Sequence, residues 1–96
     1  MVNAKHIKLL KSGVTTWNQW RKDASDVWPD LIGAPLRTLA LDGVDLENAN
    51  LHRADLESAS LVDARLCNAN LKDAILKSAL LTRGSFHHRR PPLLRS

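Results

Sequence analysis

The chain has 96 residues and a single cysteine, Cys67. One thiol cannot close an internal disulfide, so packing and backbone hydrogen bonds must hold the fold together, as in a reduced cytoplasmic protein. Long apolar runs are also missing. HIKLL near the N-terminus is far shorter than a signal peptide core or a membrane span, and the expectation is a cytoplasmic chain with no membrane partner. There is no glycine-rich phosphate loop. No two of the histidines, His6, His52, His87 and His88, stand at a helical i, i+4 spacing, and none has a cysteine or carboxylate arranged with it as a metal site demands. Cys67 reads as an outward residue with no local histidine to activate it. Ser58, Ser60 and Ser78 read as turn and outer-face residues. No catalytic residue, cofactor or metal ligand is assigned, and the chain is expected not to be an enzyme.

The net charge of +4 invites nucleic acid until it is divided along the chain. Residues 1–29 hold five Lys/Arg against two Asp, residues 30–81 five against eight acids, and residues 82–96 four Arg with no acid. The middle is therefore mildly acidic, and much of the basicity belongs to an aperiodic C-terminal segment.

That middle carries the strongest signal. Counting by fives from Leu31 to Leu81, eleven successive positions are leucine. On an α-helix, five residues turn the chain by about 500°, so such leucines would spiral around the cylinder; on a flat strand they would alternate between faces. Two residues before each leucine, positions 34 to 79 read Ala, Leu, Val and then seven alanines. The residue between is usually polar, as in Asp45, Asn50, Asp55, Ser60, Arg65 and Asn70. Residues two apart on an extended chain share a side, so Ala and Leu point inward together. The next Ala-x-Leu points inward only if the chain bends in the two residues between, making five residues one side of a polygon.

Triplets such as ADL and ANL repeated every five residues resemble the pentapeptide-repeat family, whose motif is A(D/N)LXX, over roughly residues 29–83. The resemblance implies an all-β solenoid: a right-handed quadrilateral β-helix with four pentapeptides, twenty residues, per coil, here about two and a half coils behind an N-terminal α-helical cap. KLLKSGVTTWNQWRKDASDVWPDL is similar to the leader that precedes the repeats in many bacterial members. The implied organisation is a helical cap over 1–28, repeats over 29–83, and a basic, disordered tail over 84–96.

A twenty-residue coil is testable on the charges, because outward side chains twenty apart would stack about 4.8 Å apart. That register pairs Arg37 with Glu57, Glu57 with Lys77, Asp45 with Arg65, Arg53 with Asp73 and Asp63 with Arg83, all opposite in sign. Registers of ten and fifteen oppose like charges. Twenty also stacks Asn48 on Asn68 and Asn50 on Asn70, predicting amide ladders. The expected core is then columns of Leu36, Leu56 and Leu76; Leu41, Leu61 and Leu81; Leu46 and Leu66; and Leu51 and Leu71, with Leu31 below the last. Ala49, Ala54, Ala59, Ala64 and Ala69 are small because a narrow interior cannot hold a second ring of large side chains. Leu39 and Val44 predict an end that is wider or filled by the leader.

A stack of coils has two raw ends that need covering. Ile7, Leu10, Val14 and Trp17 recur at helical spacing, and Trp20, Ala24 and Val27 continue near the same face. One helix of about 22 residues would be some 33 Å long and overhang a tube ~12 Å tall. Gly13 therefore predicts a break between a helix over about 4–11 and another over about 15–25 capped by Thr15 or Thr16. Trp17 and Trp20, near Arg21 and Lys22, invite a base-stacking reading, but their helix stripe favours capping along with Leu10 and Val14. Trp28 is expected to seal the rim.

At the other end the polar position becomes Ile75 and Leu80, a possible interface. Three explanations stand: a homodimer through the C-terminal coil, cover by Phe86 or Leu93-Leu94 folding back, or a shortened form of a longer solenoid. The expected function is a non-enzymatic scaffold for protein–protein interaction. The alternative is a nucleic-acid-linked role. The family resemblance brings in members that mimic DNA and bind topoisomerases such as gyrase, against which stand a short tube and interspersed Arg53, Arg65 and Lys72. The basic tail could instead bind nucleic acid directly.

Overall fold

The computed structural model describes residues 4–81 and the backbone of Leu93–Arg95. Two helices come first, α1 (Ala4–Lys11) and α2 (Val14–Asp23). Between them Ser12 N–H and Gly13 N–H close the last turn of α1 onto Lys8, Leu9 and Leu10 carbonyls. Gly13, at φ 125°, is also the residue before α2, and no side chain caps that helix. The expected cap by Thr15 or Thr16 is thus incorrect, because α2 starts earlier, at Val14, with Trp17 N–H bonded to Gly13 O.

From Asp30 onward the chain pairs with itself twenty residues later. Parallel bridges join Asp30 to Asn50, Pro35 to Asp55, Ala40 to Ser60, Asp45 to Arg65, Asn50 to Asn70 and Asp55 to Ile75. β1 (Ser60–Leu61) pairs with β3 (Leu80–Leu81) in the same register. The hydrogen bonds alternate as a parallel ladder requires. Leu51 N–H donates to Asn70 O at 2.8 Å, while Asn50 N–H donates backward to Pro29 O at 2.9 Å. The same two bonds recur at Leu56 and Asp55, toward Ile75 and Ala34.

Every corner is built alike. The leucine carbonyl accepts the N–H three residues on, as in Ala54 to Leu51 at 2.9 Å, and the residue two after the leucine has positive φ. From Gly33 to Ser78 these residues stand five apart with φ between 58° and 74°. A β-turn with positive φ only at its third position is type II. Non-glycine residues dislike this region, and Asn, Asp and Ser tolerate it through short polar side chains. Six of the ten corners, at 48, 58, 63, 68, 73 and 78, are Asn, Asp or Ser.

The core is the inward row. Leu31, Leu36, Leu46, Leu51, Leu56, Leu61 and Leu66 are wholly buried, Leu41 and Leu71 nearly so, and Ala34, Ala49, Ala54, Ala59, Ala64 and Ala69 lie among them. Leu76 and Leu81 are only half-buried, as are Ala74 and Ala79. Val44 is buried and Leu39 half-buried at alanine positions of the first coil. Leu10 and Trp17 join the same cluster, with Ile7, Leu9, Val14 and Trp20 packed against it.

Candidate functional site

The first coil has no coil beneath it, so backbone groups that would pair downward need other partners. Helix α2 supplies them with side chains. Trp17 Nε1 donates to Asp45 O at 2.7 Å, Asn18 Nδ2 to Gly43 O at 3.1 Å, and Asn18 Oδ1 accepts Asp45 N–H at 2.8 Å. Arg21, itself buried, donates through Nη2 to Glu47 O at 2.6 Å and through Nη1 to Val27 O at 2.9 Å. Its Nε lies 3.9 Å from the Asp45 carboxylate. On another side, Asp30 N–H donates to His6 Nδ1 of α1 at 3.0 Å. The His6 ring lies 4.9 Å from that of Trp20, which in turn lies 5.1 Å from Trp17. Burial pushes the His6 pKa down, the Asp30 carboxylate raises it, and Lys5 and Arg21 lower it further. Pro35, on the same edge, has no N–H to satisfy.

Trp28 does not seal the rim. Val27 N–H turns back to Ala24 O and Val27 O is taken by Arg21, so the chain enters the first coil with the Trp28 indole 69% exposed. The aromatic closure comes from Trp17, and the polar closure from His6, Asn18 and Arg21. His6, to which the sequence assigns no site, is buried.

On the flanks, the polar residue before each leucine does local work. Asp30, Asp45, Asn50, Asp55 and Asn70 each accept, through Oδ1, the N–H two residues on, at 3.0 to 3.3 Å. These are Asx-turns, and they give the D/N of the motif its physical reason. Ser60 lacks such an acceptor, and Asp42 from the coil below serves instead, accepting both Val62 N–H at 3.0 Å and the Ser60 hydroxyl. The amide oxygens of Asn50 and Asn70 are spent this way, and they do not form the expected ladder with each other.

The charge pairs follow a diagonal as well as the vertical. Arg37 reaches Glu57, twenty residues on, at 3.9 Å, but comes closer to Asp55, at 3.0 Å. Arg65 pairs with Glu47 at 2.6 Å rather than with Asp45. Asp45 is held back by its Asx-turn and faces Arg21, whereas the longer Glu47 side chain reaches outward. Cys67, expected outward, is buried at 5% exposure; a thiol behaves as a small apolar group and fits there.

At the C-terminal end Ile75 and Leu80 are 45% and 59% exposed. One neighbouring side is covered: β4 (Leu93–Arg95) pairs in parallel with β2 (Asn70–Lys72), matching Leu71 with Leu94. The offset is 23 residues rather than 20, so the C-terminal segment, expected to be a disordered tail, contributes one strand after an interruption of the register. The remainder of that segment, including Phe86, His87 and His88, lies outside the described residues.

The flank position after each leucine varies freely: Ile32, Arg37, Asp42, Glu47, His52, Glu57, Val62, Cys67, Lys72 and Lys77. Among the described residues no three His, Cys, Asp or Glu side chains gather as a metal site, and no helix is long and apolar enough to cross a membrane. His52 Nδ1 lies 3.0 Å from Lys72 O, tied to the backbone of the coil above.

An inward row of one residue type, a type II corner every five residues and an Asx-turn wherever Asp or Asn precedes the leucine together define a pentapeptide architecture. The family model "Pentapeptide repeats (8 copies)" matches residues 30–63 and 59–88, well over half of the chain, and the chain belongs to that family. No curated protein and no solved structure matches it.

Proposed function

We propose that the chain is a non-enzymatic scaffold whose repeats form a right-handed quadrilateral β-helix and whose flanks bind another protein. The observation that carries this reading is the contrast between frame and display. The central position is leucine eleven times running, while the position after it carries acids, bases, aliphatics, a histidine and a thiol. The frame consumes its own polar groups in Asx-turns and ladder bonds, while Arg37, Asp42, Lys72 and Lys77 of the variable row stay exposed to meet a partner. Four bridged sides per twenty residues and a corner at every fifth residue support the quadrilateral form. The exposed Ile75 and Leu80 support a contact at the C-terminal coil, with a second copy as one candidate partner.

The test is affinity capture by the intact chain, by a chain lacking residues 84–96, and by a flank variant, Arg37→Glu with Lys77→Glu. The scaffold reading expects a protein retained in stoichiometric amount by the first two and lost by the third. Retention of nucleic acid alone, steeply salt-dependent and abolished by removing residues 84–96, would replace this reading with the nucleic-acid one. Sedimentation of the intact chain and of Leu80→Asp addresses self-association: a monomer at tens of micromolar in both excludes the homodimer.

A further inference from the structure

His6 of α1 takes up a backbone N–H of the first coil with a ring lone pair. Its Nδ1 accepts the Asp30 N–H at 3.0 Å, the ring is 7% exposed, and Trp20 of α2 lies against it at 4.9 Å. An imidazole that accepts at Nδ1 is neutral and carries its proton on Nε2. Protonation puts a second N–H where the lone pair was, facing the donor Asp30 N–H. We propose that His6 is an acid-sensitive latch: neutral, it holds α1 against the first coil, and protonated, it releases α1 while the coils stay paired.

Among the described residues, the charged groups around the ring are Lys5 on α1, Arg21 on α2 and the carboxylate of Asp30 on the first coil. Asp30 alone favours the imidazolium, and its Oδ1 is already engaged by Ile32 N–H at 3.3 Å. Burial is the largest influence and opposes charge, as do the two cations. The pKa of the folded protein therefore lies below the ordinary 6.5 of the unfolded chain. A group of this sign contributes its full stabilisation above that value and loses it as pH falls. Because α1 carries Leu10, Ile7 and Leu9 on the floor of the core, release uncovers apolar surface that is closed at neutral pH.

Hydrogen exchange of the intact chain between pH 8 and 5, corrected for the intrinsic rate of each amide, reads the latch directly. Opening of α1 residues 4–11 is expected to rise roughly tenfold per pH unit on going below about 6.5, until the folded pKa is reached. The ladder amides of Leu51 and Leu56 should keep their protection. His6→Gln, which retains an acceptor and cannot titrate, should give a flat profile for α1. Three results overturn the proposal: α1 protection that is independent of pH in the native chain, an equal acid response in His6→Gln, or α1 and ladder amides losing protection together. The imidazole titration followed by NMR gives a check that needs no variant; a His6 pKa above 6.5 also overturns it.

Discussion

Replacing Trp17 tests whether the helices close the raw edge of the first coil or merely lie near it. The indole is wholly buried, packs against Trp20, and donates from Nε1 to Asp45 O at 2.7 Å. Truncation of a buried aromatic to alanine costs about 3–5 kcal/mol. Roughly 1–3 kcal/mol of that comes from leaving a buried polar partner unsatisfied, here the Asp45 carbonyl. Total stability for a domain is about 5–15 kcal/mol, so Trp17→Ala should remove a large share of it. Trp17→Phe keeps most of the packing but not the donor and should lose about 1–3 kcal/mol. Urea unfolding followed by far-UV circular dichroism avoids the altered fluorescence. With slopes of about 1–3 kcal/mol per molar for small proteins, the alanine midpoint should fall by roughly 1–5 M and the phenylalanine midpoint by less. An alanine midpoint indistinguishable from the native one would refute the capping argument, and a phenylalanine midpoint equal to the native one would remove the Asp45 hydrogen bond from it.

Other outcomes follow from the same geometry. Thr38 is a β-branched residue at φ 63°, so Thr38→Gly should raise stability by about 1 kcal/mol in thermal unfolding. Asp55→Ala loses both the Asx-turn to Glu57 N–H and the Arg37 pair and should cost about 1–2 kcal/mol. Asp55→Asn keeps the turn and should cost under about 1 kcal/mol, since Arg37 is mostly exposed. Ala64 is wholly buried, and Ala64→Leu should overpack the interior by about 1–3 kcal/mol in the same unfolding assay.

The interior was legible because it needs only one rule: an aliphatic residue every fifth position with a small one two before it. Leu51, Leu56 and Ala54 declare their burial by period alone. The corners carried a weaker signal in Gly33, Gly43, Asn48 and Asn68, residues suited to positive φ, diluted by Thr38 and Arg53, which are held there by the ladder on either side. The edge closure was hidden. Arg21 and His6 look like solvated polar residues on an amphipathic helix, and only the unpaired backbone of Asp30, Asp45 and Glu47 explains their burial. Trp28 misled for the converse reason: it is aromatic and adjacent to the first coil, but beyond the Ala24–Val27 turn its side chain stands in solvent. The charge register identified the coil length without the partners, because Asx-turns withdraw Asp45 and leave Glu47 to reach Arg65.

The central claim is that the chain pairs with itself at a separation of twenty residues around a leucine interior. Scalar coupling across hydrogen bonds in a labelled sample measures this directly. The account predicts coupling from the Leu51 amide nitrogen to the Asn70 carbonyl and from Leu56 to Ile75, with both amides slow to exchange. Coupling to partners ten or fifteen residues away, or rapid exchange at Leu51 and Leu56, would contradict it.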